Sequence, residues 1–281
     1  MELIVQAALL GLIQGITEFI PISSSAHLEL APWLFGWETD GLIGSLAFDV
    51  FLHLGTLLAL ILTFGRDWLR LLRAMLASLQ DRSLGTDPDR RLAWLLVLAT
   101  IPAVVVGFVY EDAIDAAFHR DADASRMAIA AFLVIGAAVL WLADRYGPRQ
   151  RELHDVNLPR GLGIGFAQAA ALLPGISRSG ATMAAGLATG LTRDAAARFS
   201  FLLALPVTLG AGLYGSRHLL DTTQTTTEWV ALAVGFVTAA VSGVVAIGFL
   251  LRWLRHRSMA IFSIERLILA GIVVGLVLSG R

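Results

Sequence analysis

Arg178 stands between two apolar runs, Ala169–Leu173 and Ala181–Leu187, inside the stretch Pro174-Gly175-Ile176-Ser177-Arg178-Ser179-Gly180. A cation flanked this way costs several kcal/mol in lipid unless it finds a partner or a wet cavity. Its planar fork matches phosphate oxygens. Gly175, Ser177, Ser179 and Gly180 would add close backbone approach, hydroxyls and N–H groups at a helix start. The plainer alternative is a buried ion pair with Glu18.

Gln14 and Glu18 are four residues apart and share a face if residues 3–20 are helical. Glu18 then balances Arg178, acts as a general base, or joins Gln14 in holding a divalent cation, calcium or magnesium, which carboxylate and amide oxygens suit. Ser23-Ser24-Ser25-Ala26-His27 follows within about one turn of a further helix start. Taken singly, these serines are helix caps and the histidine a core residue; facing Glu18 and Arg178, they make a nucleophile, a base and an anion clamp. His53, four residues after Asp49, reads as peripheral to the site, and His119, His154, His218 and His256 read as solvated.

The elements that would position these residues are membrane helices. The chain of 281 residues is 57% hydrophobic and 15% charged, against about 25% charged in a soluble domain. Six blocks have the length of a span, which needs about 20 apolar residues: Leu42–Phe64, Leu92–Tyr110, Met127–Ala143, Phe199–Gly215, Trp229–Leu251 and Ile261–Leu278. Residues 1–41 and 161–198 are also apolar, but Pro21-Ile22-Ser23-Ser24-Ser25 interrupts the first and Pro174–Gly180 the second. Such breaks persist in lipid only where protein covers them or they line a cavity. The N-terminal stretch opens with Glu2 and lacks a basic start and a small-residue cleavage site, so it reads as retained structure.

The interrupted segments align at an offset of 154, with Gly11, Gln14, Ile22, Ser23 and Ser25 meeting Gly165, Gln168, Ile176, Ser177 and Ser179. Each is followed by three spans. Arginine excess marks cytoplasmic connections: six arginines in Gly65–Arg91, four in Asp144–Arg160 and three in Arg252–Ser258. Leu28–Gly41 has none, and Glu111–Ser125 and Ser216–Glu228 have one each. Glu111–Ser125 also carries Glu111, Asp112, Asp115, Asp121 and Asp123, and these poorer connections lie outside. The first broken segment then enters from outside and the second from the cytoplasm, bringing both serine loops to the midplane. The expectation is an all-α integral membrane protein with six transmembrane helices plus two re-entrant helical hairpins in an inverted-topology repeat. It forms one membrane domain, 1–281, with repeat 1 about 1–143, repeat 2 about 161–281 and a cytoplasmic linker about 144–160.

Composition excludes other chemistries. The net charge is −1 and all 21 basic residues are arginine, without a basic tail or stripe, so no nucleic-acid partner is expected. Without cysteine there is no thiol nucleophile, disulfide or thiolate metal site.

Three stretches carry a family resemblance. Gln14-x-x-x-Glu18-Phe19-Ile20-Pro21-Ile22-Ser23-Ser24-Ser25-Ala26-His27, then Pro174 to Thr182, then Phe199-Ser200-Phe201-Leu202-Leu203-Ala204-Leu205-Pro206 together resemble the signatures of the undecaprenyl-diphosphate phosphatases, the bacitracin-resistance type. The resemblance covers essentially the whole chain. It implies hydrolysis of undecaprenyl diphosphate to undecaprenyl phosphate in the bacterial plasma membrane, at a site used from the outer face. That reaction recycles the lipid carrier of cell-wall synthesis and confers bacitracin resistance on overproduction. The partners implied are the polyprenyl diphosphate and membrane lipid, with a homodimer left open and no organic cofactor. Two departures stand out: Gln14 where many members have Glu, and Ser25-Ala26 where many have Thr-Gly. The amide cannot supply a second negative charge to a metal.

The reaction expected is phosphoryl transfer to an enzyme nucleophile or to water. Ser24 is the preferred nucleophile and a histidine nucleophile fits the same residues. His27 would activate Ser24 or protonate the leaving group. Glu18 would orient His27 or hold the cation, while Ser177 and Thr182 bind phosphate oxygens. The rival class is a transporter or lipid flippase, which shares broken helices in inverted repeats but needs no nucleophile beside a base. A soluble-type lipid phosphatase with lysine, arginine and two histidines fails, because the chain has no lysine and no histidine between Arg178 and His218.

Overall fold

Pro21 decides where the first helix stops, and Pro174 lies in a second break, four residues after the helix that ends at Ala170. Proline lacks an N–H and pushes the residue before it into extended backbone; Ile20 accordingly sits at φ −70°, ψ 133°, just after the first helix ends at Phe19. At the second break Gly175 takes φ +100°, where a Cβ is disfavoured. Both chains restart their helices through a serine of positive φ, Ser23 at 77° and Ser177 at 70°. Non-glycine residues rarely occupy that region.

The computed structural model describes residues 1–39, 41–118, 122–216 and 224–280, without the side chains of 111–118 and 216. The readings made above for His119, Arg120, Asp121, Arg217 and His218, and for the side chains of Glu111, Asp112 and Asp115, lie outside it. In chain order the helices are α1 Glu2–Phe19, α2 Ser24–Phe35, α3 Leu46–Gln80, α4 Pro88–Phe118, α5 Ala122–Tyr146, α6 Leu158–Ala170, α7 Arg178–Ala188, α8 Arg193–Ser216, α9 Thr226–Leu254 and α10 Ala260–Leu278. A 3₁₀ turn, Leu153–Asp155, lies between α5 and α6, and no named strand occurs among the described residues.

Five of the six expected spans fall inside α4, α5, α8, α9 and α10, and the sixth, Leu42–Phe64, begins four residues before α3. A seventh helix, α1, is also long and apolar enough to cross, one more than the sequence reading allowed. Its 18 residues extend about 27 Å at 1.5 Å per residue, close to the roughly 30 Å hydrocarbon core. By contrast α2, α6 and α7 have 12, 13 and 11 residues and reach only about 17–20 Å. The protein is therefore an all-α, multi-pass membrane protein, and these three helices are too short to cross the bilayer core.

Among the described residues five α-helices precede the 3₁₀ turn and five follow it, and the two sets interlock. α1 packs along α9 and α6 along α4, so the first helix of each half lies on the fourth helix of the other; α5 packs along α10 and α3 along α8. Corresponding glycines permit this. A Cβ on Gly11 would stand 2.4 Å from the Gly235 carbonyl oxygen, and one on Gly165 would stand 2.3 Å from that of Ala99. Small residues let membrane helices approach this closely, where packing rather than hydrophobicity drives association. Phe19 meets Phe201 edge-on with ring centroids 5.6 Å apart, seating the end of α1 against α8.

Candidate active site

The two breaks meet at Glu18. Its carboxylate is buried at the end of α1 and has three donors: Arg178 Nη2 to Oε1, Ser24 Oγ to Oε2 at 2.5 Å, and Gln14 Nε2 to Oε2 at 3.2 Å. Ser24 and Arg178 are each the first residue of their short helix, so the same backbone device aims both side chains at one carboxylate. The ion pair offered above as the plainer alternative is thus formed. It coexists with a hydroxyl on the same group, which an isolated charge pair does not require.

Arg178 is further fixed by Thr208 Oγ1 at 2.6 Å and the Ala204 carbonyl at 3.4 Å, both on α8. A guanidinium held by one anion and two neutral acceptors keeps its fork oriented for an incoming phosphate. Gln14 Oε1 is buried without a hydrogen-bond partner.

His27 does not join Ser24 or Glu18 in a hydrogen bond. Its Nδ1 lies 2.8 Å from the Ser23 carbonyl and its Nε2 3.1 Å from Glu265 Oε1 on α10. The ring is thus held between a backbone carbonyl and a carboxylate. The expectation that Glu18 orients His27 is therefore replaced by Glu265, and the group placed to take the Ser24 proton is Glu18.

The remaining candidate residues make the following contacts within the protein. Ser23 and Ser25 hydroxyls lie 3.3 Å apart, as do those of Ser177 and Ser179. Ser177 Oγ accepts the Gly180 N–H at 3.1 Å, capping α7. Ser179 Oγ reaches the Ile20 carbonyl at 3.5 Å. The Thr182 hydroxyl contacts the Arg178 carbonyl and Ser200 Oγ, both at 2.7 Å, so it braces α7 on α8. Gly175 approaches α5, where a Cβ would lie 2.7 Å from the Ile129 carbonyl. His53 bonds its own helix at the Asp49 carbonyl, 2.8 Å away, and His154 and His256 are exposed as expected.

Two functional neighbours do not follow from motif spacing: Glu265 and Arg266. Arg266 is fully buried, with Nε donating to the Pro21 carbonyl at 2.7 Å and Nη1 to that of Ile176 at 3.3 Å. One guanidinium thus ties both breaks together. Gly136 and Gly180 make its channel, since a Cβ on either would fall within 2.4 Å of a guanidinium nitrogen. The available signal is the charged pair itself inside the apolar block Ile261–Leu278, where ionisable residues are functional by default.

No group of three or more His, Asp or Glu among the described residues is placed to hold a metal. Glu18 and the unpartnered Gln14 Oε1 provide two oxygens and one negative charge. That donor set fits a hard cation whose other ligands are phosphate oxygens and water, the usual magnesium arrangement.

The model of the bacitracin resistance protein BacA family matches residues 7–273. The undecaprenyl-diphosphatase of Thermomicrobium roseum is 46% identical over 276 residues, 98% of this chain and 98% of that protein. The undecaprenyl-diphosphatase of Pelobacter propionicus is 44% identical over 277 residues, 99% of this chain and 98% of its own. That of Moorella thermoacetica is 44% identical over 272 residues, covering 96% and 97%.

Proposed function

Because the chain belongs to the bacitracin resistance protein BacA family, we propose that it hydrolyses undecaprenyl diphosphate to undecaprenyl phosphate and inorganic phosphate. The observation that carries the chemistry is the carboxylate shared by Ser24 and Arg178. Entering diphosphate exchanges with Glu18 for the Arg178 guanidinium. The N–H groups of Arg178 and Ser179, in the first turn of α7, add donors for the phosphate oxygens.

Ser24 Oγ then attacks the terminal phosphorus, its proton passing to Glu18, and the anhydride bond breaks. The leaving group is undecaprenyl phosphate, which takes a proton from His27 held by Glu265. Water then attacks the phosphoserine, its proton passing to the now neutral His27 while Glu18 returns its proton to the Ser24 oxygen, and inorganic phosphate leaves with Ser24, Glu18 and His27 restored. Charge on the transferred group is stabilised by Arg178 rather than by bulk water. A divalent cation held by Glu18, Gln14 and the diphosphate would neutralise charge on the leaving oxygen.

The site works in the plasma membrane and opens to the outer face, as the arginine-poor connections on the α1–α2 side suggest. The interlocked packing of α1 on α9 and α6 on α4 supports an inverted repeat. In the cysteine-free background, single cysteines at Ser83 and Gln150 should label from the cytoplasm and those at Ala122 and Thr226 from outside; labelling of Ser83 and Ala122 from one face would overturn the topology. The function itself is tested with purified protein and C55 diphosphate, measuring phosphate with calcium, magnesium or chelator. Release is expected, and binding without release under every condition would refute it.

A further inference from the structure

A cavity bordered by charged side chains lies away from the site described above. It measures about 250 Å³ and is lined by Trp141, Asp144, Arg145, Arg149, Arg193 and Ser258, together with Ala260 at the start of α10. Arg193 is fifteen residues before Thr208 on α8, the helix that holds Arg178, which sets the cavity about 22 Å from the Glu18–Arg178 junction. No ligand of headgroup size can touch both.

The charges inside it do not cancel. Asp144 is buried and fully engaged by Arg193 (Nε to Oδ1 2.5 Å, Nη2 to Oδ2 3.0 Å) and by the Met259 N–H at 2.9 Å. That pair neutralises Arg193. Arg145 and Arg149 have no carboxylate partner among the described residues; Arg145 lies over the Tyr146 ring, 5.9 Å from its centroid. The first-turn N–H groups of α10 add positive potential beside Ser258 and Ala260.

The walls are fastened before any ligand arrives. The Gly147 N–H donates to the Ala143 carbonyl at 2.9 Å, and the absent Cβ of Gly147 leaves room for the Leu187 carbonyl, which it would meet at 2.7 Å. Arg149 takes φ 52°, and the next two N–H groups, of Gln150 and Arg151, both donate to the Gly190 carbonyl at 2.9 Å. Trp141 and Tyr146 are 44% and 72% exposed at the same end of α5, where aromatic side chains mark the membrane surface.

We propose that this cavity binds the phosphate headgroup of an anionic membrane lipid on the arginine-rich side. Basic pockets between membrane helices on the cytoplasmic side recognise such headgroups. Arginines that merely obey the orientation rule need not gather at a cavity, whereas this open cavity has at its border two guanidiniums without a carboxylate partner among the described residues, on fixed backbone beside a helix start. The inference is independent of the phosphatase reading.

The test titrates delipidated full-length protein in detergent with phosphatidylglycerol, phosphatidylserine and phosphatidylcholine, counting bound lipid by native mass spectrometry. Either lipid of net negative charge should bind at least about tenfold more tightly than phosphatidylcholine, a factor corresponding to 1.4 kcal/mol. Arg145→Ala/Arg149→Ala should abolish that preference, and Arg66→Ala/Arg73→Ala, on the connection of the same sign, should keep it. Thermal melting of both double variants beside wild type shows that each folds. Phosphate release should stay within about twofold of wild type in the first double variant, as separation of the two sites requires. Equal loss of preference in both double variants, preference retained after Arg145→Ala/Arg149→Ala, or displacement of lipid by millimolar inorganic phosphate would each overturn the proposal.

Discussion

The two helix breaks share a backbone and differ in chemistry. Ser23 and Ser177 correspond at the 154-residue offset and adopt φ of 77° and 70°. The residues after them, Ser24 and Arg178, also correspond, yet one carries a hydroxyl, the proposed nucleophile, and the other a cation, and both reach Glu18. The position matching Glu18 is Leu172, and that matching His27 is Ala181. Repetition therefore supplies a scaffold that aims two side chains at one point. Divergence at a few positions makes a single site from two breaks.

Breaking the nucleophilic side should have the largest effect. Folded Ser24→Ala should lose about a hundredfold or more in phosphate release, the usual scale for losing a group that takes part in proton transfer, while still binding lipid diphosphate. Release within a few fold of wild type would remove Ser24 from the chemistry. On the cationic side, Arg178→Lys keeps the charge but not the fork, so release should fall at least about tenfold, equivalent to 1.4 kcal/mol of barrier. Near-normal turnover of the folded variant would contradict the clamp.

The smallest effect sharpens the comparison most. Gln14 and Gln168 occupy matching positions and both are buried, but Gln14 donates to Glu18 whereas neither polar atom of Gln168 has a partner. Gln14→Leu should lower phosphate release several fold. Gln168→Leu should leave release unchanged and raise stability by up to about 1–3 kcal/mol, the cost of an unsatisfied buried polar group. Equal losses of activity from both substitutions would mean that the second half contributes a site of its own.

Much of this was legible in local sequence. Six apolar blocks fix six helices, and Pro21, Pro174 and the serines that follow fix both breaks, because these signals act over a single turn. Arg178 and Glu18 stand out as charges in apolar surroundings, and their pairing follows from the repeat. Glu265 and Arg266 meet the breaks across 238 and 245 residues, a proximity that only the packing of α10 on α5 creates. The same limit hides the contacts that Gly175 makes with α5 and Thr182 with α8. For α1, the nearby break suggested a partial helix, whereas its 18 residues form one nearly as long as the bilayer core.

The central claim is that Arg178 is shared in turn between Glu18 and the substrate, with Glu18 then acting as the base. Glu18→Gln tests it most directly, since the amide preserves shape while removing both the anion and the proton acceptor. An unpaired buried guanidinium destabilises the free protein by about 3–5 kcal/mol, so folding is verified by melting with and without lipid diphosphate. Binding and phosphate release are then measured on the same preparation. The account predicts that Glu18→Gln binds C55 diphosphate at least as tightly as wild type, because Arg178 is freed from its internal partner, and releases phosphate about a hundredfold more slowly. Release at the wild-type rate, or loss of binding in a folded protein, would contradict it.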